Sequence, residues 1–110
     1  MTASNAIKLT IYVSDAVHYE HKPLYEAIVE VLHHEGISGS TVIHGSAGYG
    51  ADKQMHTVKI LRMSNDLPVI ITAIDTREKI EAVIPKLDAI IDKGLMTTED
   101  VQIVFHRPEL

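Results

Sequence analysis

The residues that most constrain the fold are 69–75, VIITAID, a nearly unbroken apolar run. A run of this length predicts a central β-strand that is covered on both faces. Nearer the N-terminus, apolar and polar residues alternate over residues 7–13. That period of two predicts a strand with one buried face, formed by Ile7, Leu9, Ile11 and Val13. The chain therefore has to build a β-sheet.

Two segments carry apolar residues at helical spacing. In the first, Pro23 suits the first turn of a helix and Gly36 is placed to end it. The second starts with an Asp-x-x-Glu pattern at residues 75–78, which predicts a capping box, and we expect Gly94 to close it. Pro85 lies inside it and predicts a bend or a local break. The apolar stripes are Leu24, Ala27, Ile28, Val31 and Leu32 in the first helix and Ile80, Val83, Ile84, Leu87, Ile90 and Ile91 in the second.

Three further strands are predicted at residues 40–44, 56–63 and 101–106, and residues 14–22 are expected to form a polar loop. The order is β-α-β-β-β-α-β, in which the third strand is an extra β-arm. Without that arm, it is the βαββαβ order of a ferredoxin-like α+β sandwich, with two helices on one face of an antiparallel sheet. We expect one domain over residues 1–110, with an ordered core at about 7–106.

The second face of this sheet has no helix to cover it. Val58, Ile60, Ile70 and Val104 leave apolar side chains available there. Another copy of the chain is the simplest cover for such a face, so the pattern predicts a homo-oligomer.

Composition excludes several classes of partner and site. The formal charge is −5 and the ten basic residues are scattered, which argues against a nucleic-acid partner. The absence of cysteine excludes disulfides, thiolate metal sites and cysteine nucleophiles. Neither a signal-peptide pattern nor an apolar run long enough to span a bilayer is present. We therefore expect a cytoplasmic protein that does not insert into a membrane.

A glycine-rich segment, HGSAGYGADK at residues 44–53, is the strongest candidate for a binding loop. Gly45 and Gly50 have the spacing of a phosphate-binding loop, but Ala51 replaces its lysine and no helix follows. Two interpretations remain. Gly45, Gly48 and Gly50 could supply positive φ angles at the base of the arm, or their N–H groups and Lys53 could form a concave anion site.

Catalytic and metal sites have weaker support. Ser46 lies in the glycine-rich segment without a base beside it, and no nucleophile-elbow motif occurs, so we expect no enzyme activity. His18, Glu20 and His21 are the only cluster dense enough to bind a metal ion. A metal-binding trimer similar to the CutA divalent-cation tolerance proteins is the alternative function.

Over residues 8–104 the sequence resembles the family catalogued as domain of unknown function 190, a branch of the PII-like signalling proteins. The most specific matching segments are KPLYEAIVE, TVIHGSAGYGA, LPVIITAID and KIEAVIPKLD. The resemblance implies a non-enzymatic, nitrogen-regulatory-protein-like signalling subunit in a homotrimer. It also implies a ligand cleft between subunits, and a regulated partner protein such as a membrane transporter or channel.

In PII proteins proper, the cleft binds ATP or ADP at the base of a long loop. Residues 48–53, GYGADK, are similar to that loop base and keep two glycines, an aromatic residue and the lysine. The phosphate-binding turn after the second helix is replaced by residues 93–101, KGLMTTEDV, and a single Arg107 stands in place of paired arginines. We therefore expect a small anionic metabolite, with an adenine nucleotide as the leading candidate. The expected ligand contacts are Gly45, Gly48, Tyr49, Gly50, Lys53, Thr97, Thr98 and Arg107.

Overall fold

A computed structural model of the protein describes residues 4–49, 55–56 and 67–108. Its helices and strands, in chain order, are β1 (Ser4–Ser14), β2 (His18–Tyr19), β3 (Lys22–Pro23), α1 (Leu24–His34), β4 (Ser40–His44), β5 (Gly48–Tyr49), β6 (Met55–His56), β7 (Pro68–Asp75), α2 (Arg77–Asp88) and β8 (Leu95–Ile103). Within these ranges, neither helix is long and apolar enough to cross a membrane.

The main sheet has the strand order β4-β7-β1-β8, and all its pairings are antiparallel. This order confirms the ferredoxin-like α+β fold, because the strands that flank each helix are separated by one other strand. Two short hairpins, β2 with β3 and β5 with β6, stand outside the main sheet. The predicted arm strand at residues 56–63 lies largely outside the described residues.

Both helices pack on the same face of the sheet. Ile7, Leu9, Ile11 and Val13 of β1 are buried there, as the alternation predicts. They form one cluster with the buried stripes of the two helices. The core is aliphatic and lies between the helix layer and the sheet.

The prediction that residues 69–75 are covered on both faces is wrong for the single chain. Burial along β7 alternates, so that Val69 and Ile71 are buried while Ile70 is half-buried and Ile74 is exposed. Because both helices lie on one side, the apolar residues that point the other way stay accessible. These residues lie on the face of the sheet that carries no helix, which we call the open face.

The strand registers arrange the open face in rows that cross all four strands. Ile43, Ile70, Tyr12 and Leu95 are aligned pairwise and form the apolar row. Ile43, Tyr12 and Leu95 are 53%, 41% and 57% exposed. Of the open-face residues predicted from the sequence, Ile70 is confirmed, Val104 lies beyond the end of β8, and Val58 and Ile60 lie outside the described residues.

The last strand starts six residues before its predicted position, at Leu95, and ends at Ile103. Residues 97–100 are polar because β8 is an edge strand whose side chains are largely exposed, so they carry no apolar periodicity. Gly94 immediately precedes this strand and does not close α2, which ends at Asp88. A Cβ on Gly94 would lie 2.7 Å from the carbonyl oxygen of Tyr12, and its φ is +158°.

The cap of α2 is displaced by one residue from its predicted position. The N-cap is Thr76, whose hydroxyl accepts a hydrogen bond from the Lys79 N–H at 3.3 Å. Asp75 is instead the buried last residue of β7, and its carboxylate accepts from the N–H groups of Thr76 (2.7 Å) and Ser38 (2.9 Å). Pro85 lies inside α2, which continues for three more residues.

The predicted ends of α1 and β4 are confirmed. Pro23 is the N-cap of α1, and Gly36 follows the helix with a φ of +81°, which glycine adopts without a steric penalty. The stretch predicted as a polar loop contains the β2–β3 hairpin. Its two central residues, Glu20 and His21, have φ values of 48° and 71°, in the left-handed region.

Contacts on either side hold this turn in place. The Leu24 N–H donates to the Val17 carbonyl at 2.8 Å, and the Lys22 ammonium contacts both carboxylate oxygens of Glu30 at 2.7 and 2.9 Å. The hydrogen bond to Glu30 raises the pKa of Lys22 above its ordinary value. Two consecutive non-glycine residues in the left-handed region nevertheless carry a conformational cost.

Replacing Glu20 and His21 together by Asn and Gly should stabilise the protein by about 0.5–1 kcal/mol, since Asn-Gly accepts positive φ at both central positions of a two-residue hairpin. Thermal unfolding should show a melting temperature several degrees above that of the wild type. Glu20→Ala is the control, because alanine keeps the Cβ and gains nothing. If the Asn-Gly variant melts at or below the temperature of the control, Glu20 and His21 carry no conformational cost in this turn.

Candidate functional site

The start of the glycine-rich segment packs directly against Pro68, the first residue of β7. The Gly45 N–H donates to the Pro68 carbonyl at 2.7 Å. A Cβ on Gly45 would lie 2.7 Å from the Pro68 Cγ, and a Cβ on Gly48 would lie 2.9 Å from the same atom. Both distances are shorter than side chains tolerate, so these two positions require glycine.

This contact bears on both interpretations of the segment. Neither Gly45 nor Gly48 is among the described residues with positive φ, so the expected reason for these two glycines is wrong. They are needed for close approach to a proline ring. The Gly45 N–H is also engaged by Pro68, so it is not available to a phosphate. Gly50 and Lys53 lie outside the described residues.

Asp15 fixes the neighbouring residue, Leu67, from the other side. The Asp15 N–H donates to the Leu67 carbonyl at 2.8 Å, and the Leu67 N–H donates to the Asp15 Oδ1 at 2.9 Å. Residues 45–48, residues 67–68 and the turn after β1 therefore meet at one end of the sheet. We call this junction the arm base, because residues 50–66 connect its two sides.

The arm base also contacts the helix layer. The ring of His44, at the end of β4, meets the ring of Tyr25 edge to face, with centroids 5.2 Å apart and planes at 87°. Tyr25 belongs to the first turn of α1, so a displacement of the arm base would change a packing contact of that helix. Sequence reasoning missed Asp15, Tyr25 and Pro68 as site residues. The Leu67-Pro68 pair is visible in the segment LPVIITAID, whereas the partners of Asp15 and Tyr25 follow only from the fold.

The other predicted ligand residues lie elsewhere in the chain. Thr97 and Thr98 belong to β8, at the opposite edge of the sheet from β4, about 14 Å away at three strand spacings. They pair with Thr10 and Leu9, so Thr97 points to the open face and Thr98 to the helix face. One copy of β8 can therefore present at most one of them to a given ligand.

Arg107 lies beyond Ile103, at the end of the sheet opposite the arm base. Its guanidinium carbon stands 4.3 Å from the centroid of the Phe105 ring, a cation–π contact. Within one chain the structure thus brings Gly45, Gly48 and the Tyr49 backbone together, and it separates them from Thr97, Thr98 and Arg107. Two cavities, of about 370 and 740 Å³, lie beside Arg77 and along α1 respectively, and the described part of the glycine-rich segment, residues 44–49, lines neither of them.

The predicted metal cluster is not assembled. Within the described ranges, no group of three or more His, Asp or Glu residues is arranged to hold a metal ion. His18 and His21 are separated by the tight hairpin turn, and the His18 Nδ1 lies 3.2 Å from the Ala16 carbonyl oxygen. His18, Glu20 and His21, on which the metal-binding alternative depends, are therefore not arranged as a metal site.

Gly45→Ala should destabilise the protein by ~1–3 kcal/mol, because the new methyl group would overlap the Pro68 ring. Gly39→Ala is the matched control: a Cβ there has nothing within 4 Å, so its effect should stay within about 0.5 kcal/mol. Urea unfolding measures both. Adding Pro68→Ala to Gly45→Ala should recover part of the loss. Equal midpoints for the two glycine variants would contradict the packing role of Gly45.

The sequence matches the model of the DUF190 family, described as Uncharacterized ACR, over residues 6–103. It is 33% identical over 97 residues to a UPF0166 protein of Aquifex aeolicus, an alignment that spans 88% of this chain and 91% of that protein. A UPF0166 protein of Methanocaldococcus jannaschii is 38% identical over 96 residues, spanning 86% and 88% of the two chains.

Two solved structures of PII-like proteins have the same fold. CPII, a nitrogen regulatory PII-like protein from Thiomonas intermedia bound to ADP, AMP and bicarbonate, superposes with a TM-score of 0.70 at 21% identity over 94% of this chain and 92% of its own. A PII-like signaling protein from Thermus thermophilus gives 0.69 at 15% identity, covering 94% of each chain. The chain thus belongs to the DUF190 family, and it shares its ferredoxin-like fold with PII-like proteins.

Proposed function

We propose that this protein is a non-enzymatic PII-like signalling protein. As a homotrimer it binds a small anionic metabolite, with an adenine nucleotide as the leading candidate, in clefts between its subunits. It relays that state to a partner protein, for which a membrane transporter or channel is the leading class. The observation that carries the proposal is the arm base, where Pro68, Gly45 and Asp15 form a fixed junction. A PII-like protein of the same fold is bound to ADP, AMP and bicarbonate.

The positions of the candidate ligand residues favour a site shared by two copies. Gly45, Gly48, Tyr49, Gly50 and Lys53 belong to the arm base and the residues after it, while Thr97 and Thr98 belong to the far edge of the sheet. Arg107 extends past the other end of the sheet. One chain does not bring Gly45 and Gly48 together with Thr97, Thr98 and Arg107 around a small molecule, so the proposal takes the first set from one subunit and the second from its neighbour.

The charges favour Lys53 and Arg107 as the residues that hold the anion. The chain is acidic overall, so an anion needs local cations to overcome its net charge of −5. Since the Gly45 N–H is engaged by Pro68, the glycines shape the cleft and the cations Lys53 and Arg107 supply the attraction. The Arg107 guanidinium stacks on Phe105, a contact that leaves its N–H groups able to donate to an anion.

Subunit contact is proposed through the open face. The apolar row exposes three large side chains in register across the sheet, which is unusual for a surface that stays in water. A partner sheet packed against this row would bury them. The same packing would bring the arm base of one copy near the edge of another.

Adding ADP, AMP or ATP should raise the melting temperature of the wild-type protein. A ligand present at 100 times its Kd stabilises the folded state by about 2.7 kcal/mol, so the shift should be several degrees. Lys53→Ala and Arg107→Ala should each reduce the shift, because each removes a cation from the anion.

Gly39→Ala is the control variant for this experiment and should keep the full shift, since its Cβ would meet nothing. Absence of any shift with all three nucleotides at millimolar concentration would contradict the adenine-nucleotide proposal. Release of inorganic phosphate or AMP during the incubation would contradict its non-enzymatic part.

A further inference from the structure

We propose that a row of four threonines on the open face is the element by which copies of this chain recognise one another and fix a single alignment. This inference rests on the proposed assembly through the open face and assigns its specificity to particular residues. The row consists of Thr41 on β4, Thr72 on β7, Thr10 on β1 and Thr97 on β8.

The four threonines are in direct register. Thr41 is paired with Thr72, Thr72 with Thr10, and Thr10 with Thr97. Side chains paired in this way have Cβ atoms about 4.5–5.5 Å apart. The hydroxyl groups therefore form one line across the entire sheet, two residues along each strand from the apolar row.

The row contains more hydroxyl groups than the chain itself uses. Among the described residues, the hydroxyls of Ser38 and Thr76 are hydrogen-bonded to the backbone, whereas those of the four threonines form no such bond. Thr10 is buried even in the single chain, with 7% of its surface exposed, while Thr41 and Thr97 at the two edges are exposed. Covering the face with a purely apolar surface would leave these hydroxyls without water and without partners, which is unfavourable.

A second copy of this chain can supply hydrogen-bond partners for the hydroxyls of the row, and no other kind of partner is needed. A hydroxyl both donates and accepts, so the threonines of one row can pair with those of the same row in each neighbouring copy of a trimer. Charge does not oppose the contact either, because on the open face Lys8 and Glu99 are cross-strand neighbours with Nζ and Oε1 4.0 Å apart. This pair is neutral in sum, so it gives the open face no net charge that would repel a second copy.

The two rows have different effects on assembly. Burial of the apolar row is favourable but non-directional, so it stabilises several alignments nearly equally. Hydrogen bonds between threonine rows form only when the rows face one another, and every other alignment leaves hydroxyls unpaired. A buried polar group that selects one alignment at some cost in stability is a known device in coiled coils.

The test is to replace the two exposed threonines at the edges by valine, which keeps the shape and removes the hydroxyl. In native mass spectrometry and sedimentation velocity, wild-type protein should give one oligomeric species. Thr41→Val/Thr97→Val should still associate but lose that single species and distribute over several masses. Thr41→Ser/Thr97→Ser, the matched control, keeps both hydroxyls and should restore the single species. Retention of the wild-type single species by the valine variant overturns the proposal.

A second variant separates this outcome from failure of the assembly itself. Leu95→Asp places a carboxylate in the apolar row and should shift the protein to monomers, while Val17→Asp, an exposed apolar residue outside the main sheet, should not. If wild-type protein is monomeric, or if Leu95→Asp keeps the wild-type mass, assembly through the open face is wrong, and the role of the threonine row falls with it. If Leu95→Asp gives monomers but the valine variant keeps the wild-type single species, only the role of the threonine row is wrong.

Discussion

The pairing of β7 with a strand on each side is the constraint on which the rest of the structure depends. β7 pairs with β1 along its full length and with β4 over five residues, and an aspartate fixes each of its ends. Asp15 binds the backbone of Leu67 immediately before the strand. Asp75 is the last residue of the strand, and it ties the α1–β4 connection to the start of α2 through Ser38 and Thr76. With both ends held, the strand cannot slip in register, and a slip of one residue would exchange the core face for the open face.

Two consequences follow from this register. The first is the arm base, where Pro68 is held so close to Gly45 and Gly48 that neither position accepts a side chain. The second is the open face, where aligned residues from four strands form an apolar row beside a threonine row. Both are products of one alignment, so a ligand that displaced β7 at the arm base would also disturb the surface on which we propose that subunits meet. We propose this coupling as the physical basis by which the protein would relay a ligand state.

The sequence predicts most of the architecture because its signals are local. The alternation of β1, the stripe of α1 and the turn at Gly36 each need only a few neighbouring residues, and the structure confirms all three. The errors occur where tertiary contacts decide. The predicted start of β8 is six residues late because an edge strand can be polar. The predicted α2 cap is wrong because Asp75 instead binds Ser38, a residue 37 positions away that local sequence patterns do not reveal.

The candidate site is harder to predict than the fold. The glycines at residues 45 and 48 stand out in the sequence, but their reason does not, since it requires knowing that Pro68 lies against them. The threonine row is invisible for the same reason, because its four members are scattered along the chain and align only through three strand registers. Separation of Arg107 from the arm base also emerges only in the structure, and it divides the predicted ligand residues into two groups, which we propose as the two halves of the site.

The central claim is that these halves come from different subunits, and mixing two defective variants tests it most directly. Lys53→Ala and Arg107→Ala proteins should each bind ADP poorly by calorimetry. If the site is shared, mixed oligomers made by joint refolding should recover binding, because some of their interfaces combine an intact Lys53 with an intact Arg107 of the neighbour. Joint refolding that restores no binding, in samples whose mixed composition is verified by mass, would contradict a site between subunits.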